Sequence, residues 1–340
     1  MRVTFVRHGE SQANATGTWQ GQGDSPLSTH GHEQARRAAL RLPASRFTRI
    51  VSSDLSRARD TARATGVEPE LDPGLREIDV GAWEGLGRNE VLEKFPDEIA
   101  ALVRGDDVKI GGAESWSDAT ERAMSALRSQ LAHHGPGDEL AIFSHGGVIT
   151  SIFIQLASAH ARRPQPLGHM VNTAISAARF DQGEPVIERY NDALHVPETA
   201  PWRRKMFGPD DTLIGLLVVT PTTDIERLKG RPGCFDEVTK LLVGDPALYG
   251  IATTLSDALG IPVDTESRYD GFEHVAGRHP GERVIALLPG KTADHEVRDA
   301  THRVIPKAKF APLTEGTLTH IARTKSTILL ADYATVVGGP

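Results

Sequence analysis

Cysteine is nearly absent from this chain of 340 residues: Cys234 stands alone. No disulfide can therefore close within the chain, and its thiol content does not point to an oxidising compartment. Long apolar runs are missing as well, and an apolar strand that begins at residue 2 or 3 leaves no room for a cleavable leader. Basic runs are short and the formal net charge is -7, which argues against nucleic acid and anionic membrane surfaces as general partners. There is no His-Glu-x-x-His, no Cys-x-x-Cys, no phosphate-loop signature and no dinucleotide fingerprint. His133, His134, His274, His279, His295, His302 and His320 follow no metal-ligand spacing, and surface positions are expected for most of them. The composition reads as a soluble, cytoplasmic protein, long enough for two domains, with no cofactor and no bound metal implied.

What is present begins at once. Val3-Thr4-Phe5-Val6 is an apolar, β-branched run that ends abruptly in Arg7-His8-Gly9-Glu10-Ser11. That pattern predicts a buried strand whose C-terminal end opens into a loop with reactive side chains, the place where open α/β sheets bind ligands. A guanidinium fork matches phosphate oxygens, a neutral imidazole can attack phosphorus, and glycine at position 9 permits close backbone approach to a bound anion. Taken alone, the triplet also fits a charged turn after an edge strand.

The rest of the first half alternates strand and helix. Ser28 or Thr29 caps a helix running to about Leu42. A strand at Arg49-Ile50-Val51 follows, then Ser52-Ser53-Asp54 as loop and cap, and a helix from about Leu55 to Ala64. Leu75 to Gly85 is a loop rich in glycine and carboxylates. A long helix runs from Ser115 to about His133, and the strand Glu139 to Phe143 ends in Ser144-His145-Gly146-Gly147 before an apolar helix, Val148 to Leu156. Strands near 174–180 and 186–190 complete this half. The order predicts an α/β fold, a mostly parallel sheet with helices on both faces.

Collected from strand ends and neighbouring loops, Arg7, His8, Asn14, Arg57, Glu77 and His145 supply a nucleophile, cationic clamps and an acid/base carboxyl. Singly, Arg57 could be a helix-surface arginine, Glu77 an ordinary loop carboxylate and His145 a helix cap; Asp79 and Glu84 could trade places with Glu77. The ordered motifs Arg7-His8-Gly9-Glu10-Ser11-x-x-Asn14, Gln20-Gly21-x-x-Asp24-Ser25-Pro26-Leu27-Ser28, Ser52-Ser53-Asp54-Leu55-Ser56-Arg57-Ala58-x-x-Thr61-Ala62, Leu75-Arg76-Glu77 and Ser144-His145-Gly146-Gly147 resemble the histidine phosphatase superfamily. The resemblance is to the phosphatase side of its phosphoglycerate mutase-like branch, over residues 1–195. It implies His8 as the nucleophile forming a phosphohistidine, with Arg7, Arg57 and a protonated His145 around the phosphoryl oxygens. Glu77 is then the acid and base, and Asn14 and the Gly146 amide add hydrogen bonds. Two guanidiniums beside His8 would keep its imidazole neutral. Ser11, Gln20, Gly21 and Trp83 are expected in the same substrate-binding set, and Trp19, Gln20, Gln22, Trp83 and the segment 109–116, which flank the motif loops, are expected on the rim.

The family's mutases carry longer insertions that help to close the site, so the short spacing from Glu77 to His145 and a Leu75 to Gly85 loop resembling that of the phosphatases imply hydrolysis of a small phosphorylated metabolite, such as a sugar phosphate, over a mutase reaction. A different reading makes the chain a binding or assembly module, with the second half as its working surface. Residues 197–211, with Trp202 and the basic triplet Arg203-Arg204-Lys205, read as a linker between a catalytic domain (1–196) and a second α/β domain (212–340). That second half reads as a shortened, diverged copy of the first. Leu213 to Val219 continues into Thr220-Pro221 where the first half has Arg7-His8. Asp245 to Ile261 lies over Val51 to Val67 without a gap, with Ile251 at the place of Arg57, and Pro289-Gly290 replaces His145-Gly146. Ala311-Pro312-Leu313 echoes Gln165-Pro166-Leu167. Any two α/β domains share strand and helix order, so the likeness is open to that simpler account. The expected role of this half is a pseudo-symmetric companion, a homodimer interface or a lid, without chemistry of its own.

Overall fold

The computed structural model describes residues 1–135, 137–157, 166–196, 198, 207–229, 233–302, 304–324 and 328–336. Trp202, the basic triplet 203–205, Gln165 and Thr327 lie outside them.

Strand β1 (Arg2–Arg7) carries Val3, Phe5 and Val6 fully shielded from solvent. An uninterrupted apolar run of this kind suits a strand covered on both faces. It pairs in parallel with β4 (Glu139–Ser144) and antiparallel with β5 (Ile175–Asp181). Beyond β4 lie β2 (Arg49–Ser52) and the two-residue β3 (Glu70–Leu71), both parallel, and β6 (Glu184–Asp192) forms the other edge. The sheet order is β3-β2-β4-β1-β5-β6.

Ser28 caps helix α2 (Thr29–Arg41), accepting from the Gly31 amide at 2.9 Å. The expected cap of α3 (Ser56–Arg63) is not made by Ser52, Ser53 or Asp54. The Ser56 amide donates instead to the Asp24 carboxylate at 2.8 Å, which ties α3 to a loop remote in sequence. Helix α6 (Trp116–Ala132) starts from the Ser115 cap, and α7 (Gly146–Leu156) follows β4 directly. Three short helices not expected from the sequence appear among the described residues of the first unit: α1 (Gln12–Thr16), α4 (Arg88–Lys94) and α5 (Pro96–Arg104).

The chain divides into two compact units, Met1–Pro164 with Met170–Val186, and Gln165–His169 with Ile187–Pro340. The expected boundary over 197–211 is therefore displaced toward the N-terminus. The reason is backbone pairing inside the second unit: Leu167 bridges to Leu330, Ile187 to Phe310 and Tyr190 to Tyr333.

In the second unit β7 (Thr212–Val218) pairs in parallel with β9 (Arg283–Leu288) and antiparallel with β10 (Thr317–Arg323); β8 (Lys240–Val243) lies parallel to β9, and β11 (Ile328–Leu330) antiparallel to β10. The order β8-β9-β7-β10-β11 repeats β2-β4-β1-β5-β6 of the first sheet. Besides the short helices α8 (Ile225–Lys229) and α10 (Phe272–Arg278), helices α9 (Tyr249–Leu259) and α11 (Gly290–Thr301) follow β8 and β9 as α3 and α7 follow β2 and β4. The ungapped overlay on Val51–Val67 does not hold, because a three-residue turn, Pro246–Leu248, stands between β8 and α9. Of the scattered histidines, His279 and His320 are buried in this unit rather than at the surface. No helix among the described residues is long and apolar enough to cross a membrane.

Candidate active site

Pairing carries β1 and β4 past their ends, with the His8 amide donating to the Ser144 carbonyl at 2.9 Å. The two strand-end histidines consequently meet, their ring centroids 5.1 Å apart. His8 is 2 % exposed, and His145 and Arg57 are fully buried. The loop carrying His8 is braced by α2: a Cβ on Gly9 would stand 2.5 Å from the Gly31 carbonyl oxygen, so helix packing already demands glycine there. Its amide donates to Thr61 Oγ1 at 3.0 Å, and the Ser28 hydroxyl donates to the Glu10 carboxylate.

His8 Nδ1 lies 2.6 Å from the Gly9 carbonyl oxygen. A carbonyl only accepts, so Nδ1 carries the hydrogen and the lone pair of the neutral ring sits on Nε2. Burial, then the charges of Arg57 and Arg7, push this imidazole well below its ordinary pKa, against the opposing pull of the Gly9 carbonyl. The same causes, burial first, push His145 well below its ordinary value. The protonated His145 implied by the family resemblance is thus not the state favoured in the protein alone. Its Nε2 lies 2.9 Å from Ser53 Oγ, while Nδ1 is buried with no partner among the described residues.

Both arginines are brought to this point. Arg7 donates through Nη1 to the Met170 carbonyl; Arg57 donates to the carbonyls of Gly23 at 2.7 Å and Gly21 at 2.8 Å. Burial pushes each guanidinium down to about 10, with Glu77 pulling back, so both remain charged at neutral pH. Their Nε groups are buried without partners among the described residues. Around His8, then, stand three buried nitrogens without partners, an arrangement that calls for an anionic acceptor.

Among the neighbouring carboxylates, Glu77 is the one built into the site. Its oxygens accept from the amides of Gly147 at 3.0 Å, Val148 at 3.2 Å and Ile78 at 3.0 Å, so it caps the N-terminus of α7 immediately after His145. His145 holds the N-cap position of that helix but makes no side-chain cap itself. Asp79 turns back to the Gly81 amide, and Glu84 lies against Gly23.

The expected substrate-binding residues fare unevenly. Ser11 and Asn14 form a reciprocal cap of α1, and the Ser11 hydroxyl also donates to Gln20. Gly21 has φ +46° and offers its carbonyl to Arg57; Gly146 leaves room for Arg7, whose Nε would lie 3.1 Å from a Cβ there. Trp83 is not on the rim. It is 2 % exposed, packed among Ile78, Val80, Val91 and Leu102, and it stacks edge-on with Trp19, which is 41 % exposed.

The sequence profile of the histidine phosphatase superfamily (branch 1) matches residues 3–193. The chain belongs to the histidine phosphatase superfamily. Among its relatives, a metal-independent phosphoserine phosphatase of Arabidopsis thaliana is 34% identical over 202 residues, covering 57% of this chain and 82% of that protein. A probable phosphoglycerate mutase GpmB of Escherichia fergusonii is also 34% identical, over 59% of this chain and 97% of its own length. A solved structure of mycobacterial glucosyl-3-phosphoglycerate phosphatase complexed with VO3 superposes with a TM-score of 0.51 at 29% identity, covering 55% of this chain and 96% of that one. The superfamily's fold is therefore that of the first half.

Other residues reach this histidine phosphatase site without an announcement in the sequence. Asn172 donates to the His8 carbonyl at 3.0 Å and to Asn14 at 3.3 Å. Thr173, a β-branched residue at φ 57°, donates its amide to the same carbonyl at 3.2 Å. Such a conformation costs about 1–2 kcal/mol, and it is held here beside the central histidine. Thr173 follows Val171-Asn172 just before β5, so an asparagine at a strand start was the only available signal. Ser144 donates to the Leu75 carbonyl at 2.7 Å, which joins the end of β4 to the loop carrying Glu77.

Proposed function

We propose that this histidine phosphatase superfamily member hydrolyses small phosphomonoesters through a phosphohistidine on His8. What carries the reading is a neutral imidazole, fixed as its Nδ1–H tautomer by the Gly9 carbonyl, beside two buried guanidiniums whose Nε groups lack partners.

His8 Nε2 attacks phosphorus, and the bond from phosphorus to the leaving oxygen breaks while Glu77, protonated, gives that oxygen its hydrogen. Water then attacks the phosphohistidine, the Glu77 carboxylate takes a proton from it, and the phosphorus–nitrogen bond returns its electron pair to Nε2. Arg7, Arg57 and His145 Nδ1–H face the phosphoryl oxygens. Donors already in place where charge gathers spare the reorganisation that water would need. For His145 to donate from Nδ1, its Nε2 must accept, so the Ser53 hydroxyl donates to it. In this reading each group that acts on the phosphoryl ester, Arg7, His8, Arg57, Glu77 and His145, comes from the first unit.

Phosphate release is measured over phosphoserine, phosphoglycerates and sugar phosphates, beside His8→Ala. Release should fall at least about 10⁴-fold in the variant, and a phosphoenzyme mapped to His8 should form in the parent. Equal release from the variant would overturn the proposal. Phosphoryl transfer to an added hydroxyl acceptor in preference to water would make the protein a mutase.

A further inference from the structure

Arg122 lies in α6, outside every motif of the active site, yet its guanidinium is wholly committed to the loop that carries Glu77 and to Glu114, which itself bonds that loop. Nε and Nη2 each donate at 2.8 Å to the two oxygens of Glu114. Nη1 donates to the carbonyls of Gly74 at 3.0 Å and Arg76 at 2.8 Å, and Nη2 to that of Glu77 at 3.2 Å. All five N–H donors of an arginine are thereby used, three of them on backbone carbonyls flanking one side chain.

Glu114 extends the clasp downstream. It accepts the Asp79 amide at 2.9 Å, and its own amide donates to the Asp79 carbonyl at 3.2 Å. Burial opposes the charge on Glu114, yet the Arg122 guanidinium and the Asp79 amide hold its carboxyl below the usual range. Residues 74 to 79 are thus gripped on both sides of Glu77, while the Glu77 carboxylate is gripped by the N-terminus of α7. Backbone and side-chain ends of the same residue are each fixed to a different helix.

We infer that Arg122, locked by Glu114, is the positioning residue that aims the Glu77 carboxyl at the leaving-group oxygen. The inference rests on the phosphatase reading for its chemistry. A lysine cannot replace it, because an ammonium group has three donors and no planar fork with which to span a carboxylate and three carbonyls.

The test compares Arg122→Lys and the milder Glu114→Gln with Glu77→Gln, each on an alkyl phosphomonoester and on p-nitrophenyl phosphate. An alkoxide needs its proton and nitrophenolate scarcely does, so a misaimed acid shows itself in the first substrate. For Arg122→Lys, kcat on the alkyl ester should fall about 10- to 100-fold with KM changed less than about threefold. On the aryl ester kcat should fall less than about threefold. Glu114→Gln should show the same pattern, weaker, and Arg122→Lys should add nothing in a Glu77→Gln background. Equal losses on both esters, or additive losses in the double variant, would overturn the assignment. Amide exchange at Gly147 and Val148, which Glu77 protects, reads the positioning without activity: it should quicken in Arg122→Lys, and unchanged exchange would also overturn it. A parent protein with no His8-dependent release, but with quickened exchange in Arg122→Lys, would defeat the phosphatase reading and leave the clasp standing.

Discussion

Beside the central strand, the first sheet presents Arg7, His8, Ser53 and His145; at the same register the second presents Val218, Val219, Gly244 and Pro289. The correspondence follows from pairing: Arg7 stands opposite Ser144 as Val218 stands opposite Leu288, and the amides of His8 and Val219 continue to the carbonyls of Ser144 and Leu288. Likewise Ser53 and Gly244 donate to Phe143 and Leu287. The Arg7-His8 pair is thus matched by Val218-Val219, two residues earlier in the chain than the Thr220-Pro221 expected from sequence overlay.

One strand order supports opposite uses. In the first unit the strand ends enclose cations and neutral imidazoles with unpartnered nitrogens, an arrangement that costs stability until an anion arrives. In the second, aliphatic side chains close the equivalent place. Leu288 is fully buried, and its Cδ2 lies 2.1 Å from where a Cβ on Gly244 would be. Ile251, in the first turn of α9, packs into the apolar core where Arg57, in the first turn of α3, meets loop carbonyls. Sheet topology determines where a site can be, and a handful of side chains decide whether there is one.

Substitutions that exchange residues between the two sheets probe this contrast. The largest effect is expected from Arg7→Val, which installs the residue of the second sheet. Losing one of two cations should lower kcat/KM about a thousandfold. Because Arg7 helps depress the His8 pKa, the acid limb of the pH–rate profile should also move upward. A loss below tenfold with an unmoved limb would mean that the cradle is not electrostatic.

The converse exchange, Leu288→Ser, gives the second sheet the residue found at Ser144. It should destabilise the protein by about 3 kcal/mol, through lost burial and a hydroxyl in an apolar setting, while phosphate release per folded molecule stays unchanged. Denaturant unfolding and specific activity check this together; a parallel fall in turnover would assign the second unit a part in catalysis.

The smallest effect concerns pH. A histidine whose folded pKa is depressed leaves stability intact above its unfolded value, about 6.5, and removes stability as pH falls toward the folded value, because the unfolded chain binds the proton first. His8 and His145 should each contribute a slope of at most about 1.4 kcal/mol per pH unit below that point. In His8→Asn the slope should shrink by one such share. Fluorescence of Trp19, Trp83 and Trp116, all in the first unit, follows its unfolding, and parallel slopes in the two proteins would contradict the neutral His8.

Local pattern made the principal strands, the cap at Ser28, the helix beginning near Ser115 and the strand-end histidines legible, because each depends on residues adjacent in sequence. Trp83 misled because an aromatic in a glycine-rich loop resembles a rim residue, whereas its burial comes from Trp19 and Phe95 meeting it in space. Arg122 and Asn172 were invisible for a related reason. Their partners are backbone carbonyls 45 to 48 and 164 positions away, and a carbonyl has no signature in a sequence.

The sequence by itself determined the α/β alternation and the strand ends at which Arg7-His8 and His145 stand, since hydrophobic period and the break from apolar to polar are properties of neighbours along the chain. Only the tertiary structure decided that Glu77, rather than Asp79 or Glu84, joins His145 at the start of α7. It also decided which His8 nitrogen bears the lone pair, and that residues 187–196 belong with the second unit. Those outcomes depend on which amides and carbonyls long-range folding brings within about 3 Å of one another, a distance that no local pattern encodes.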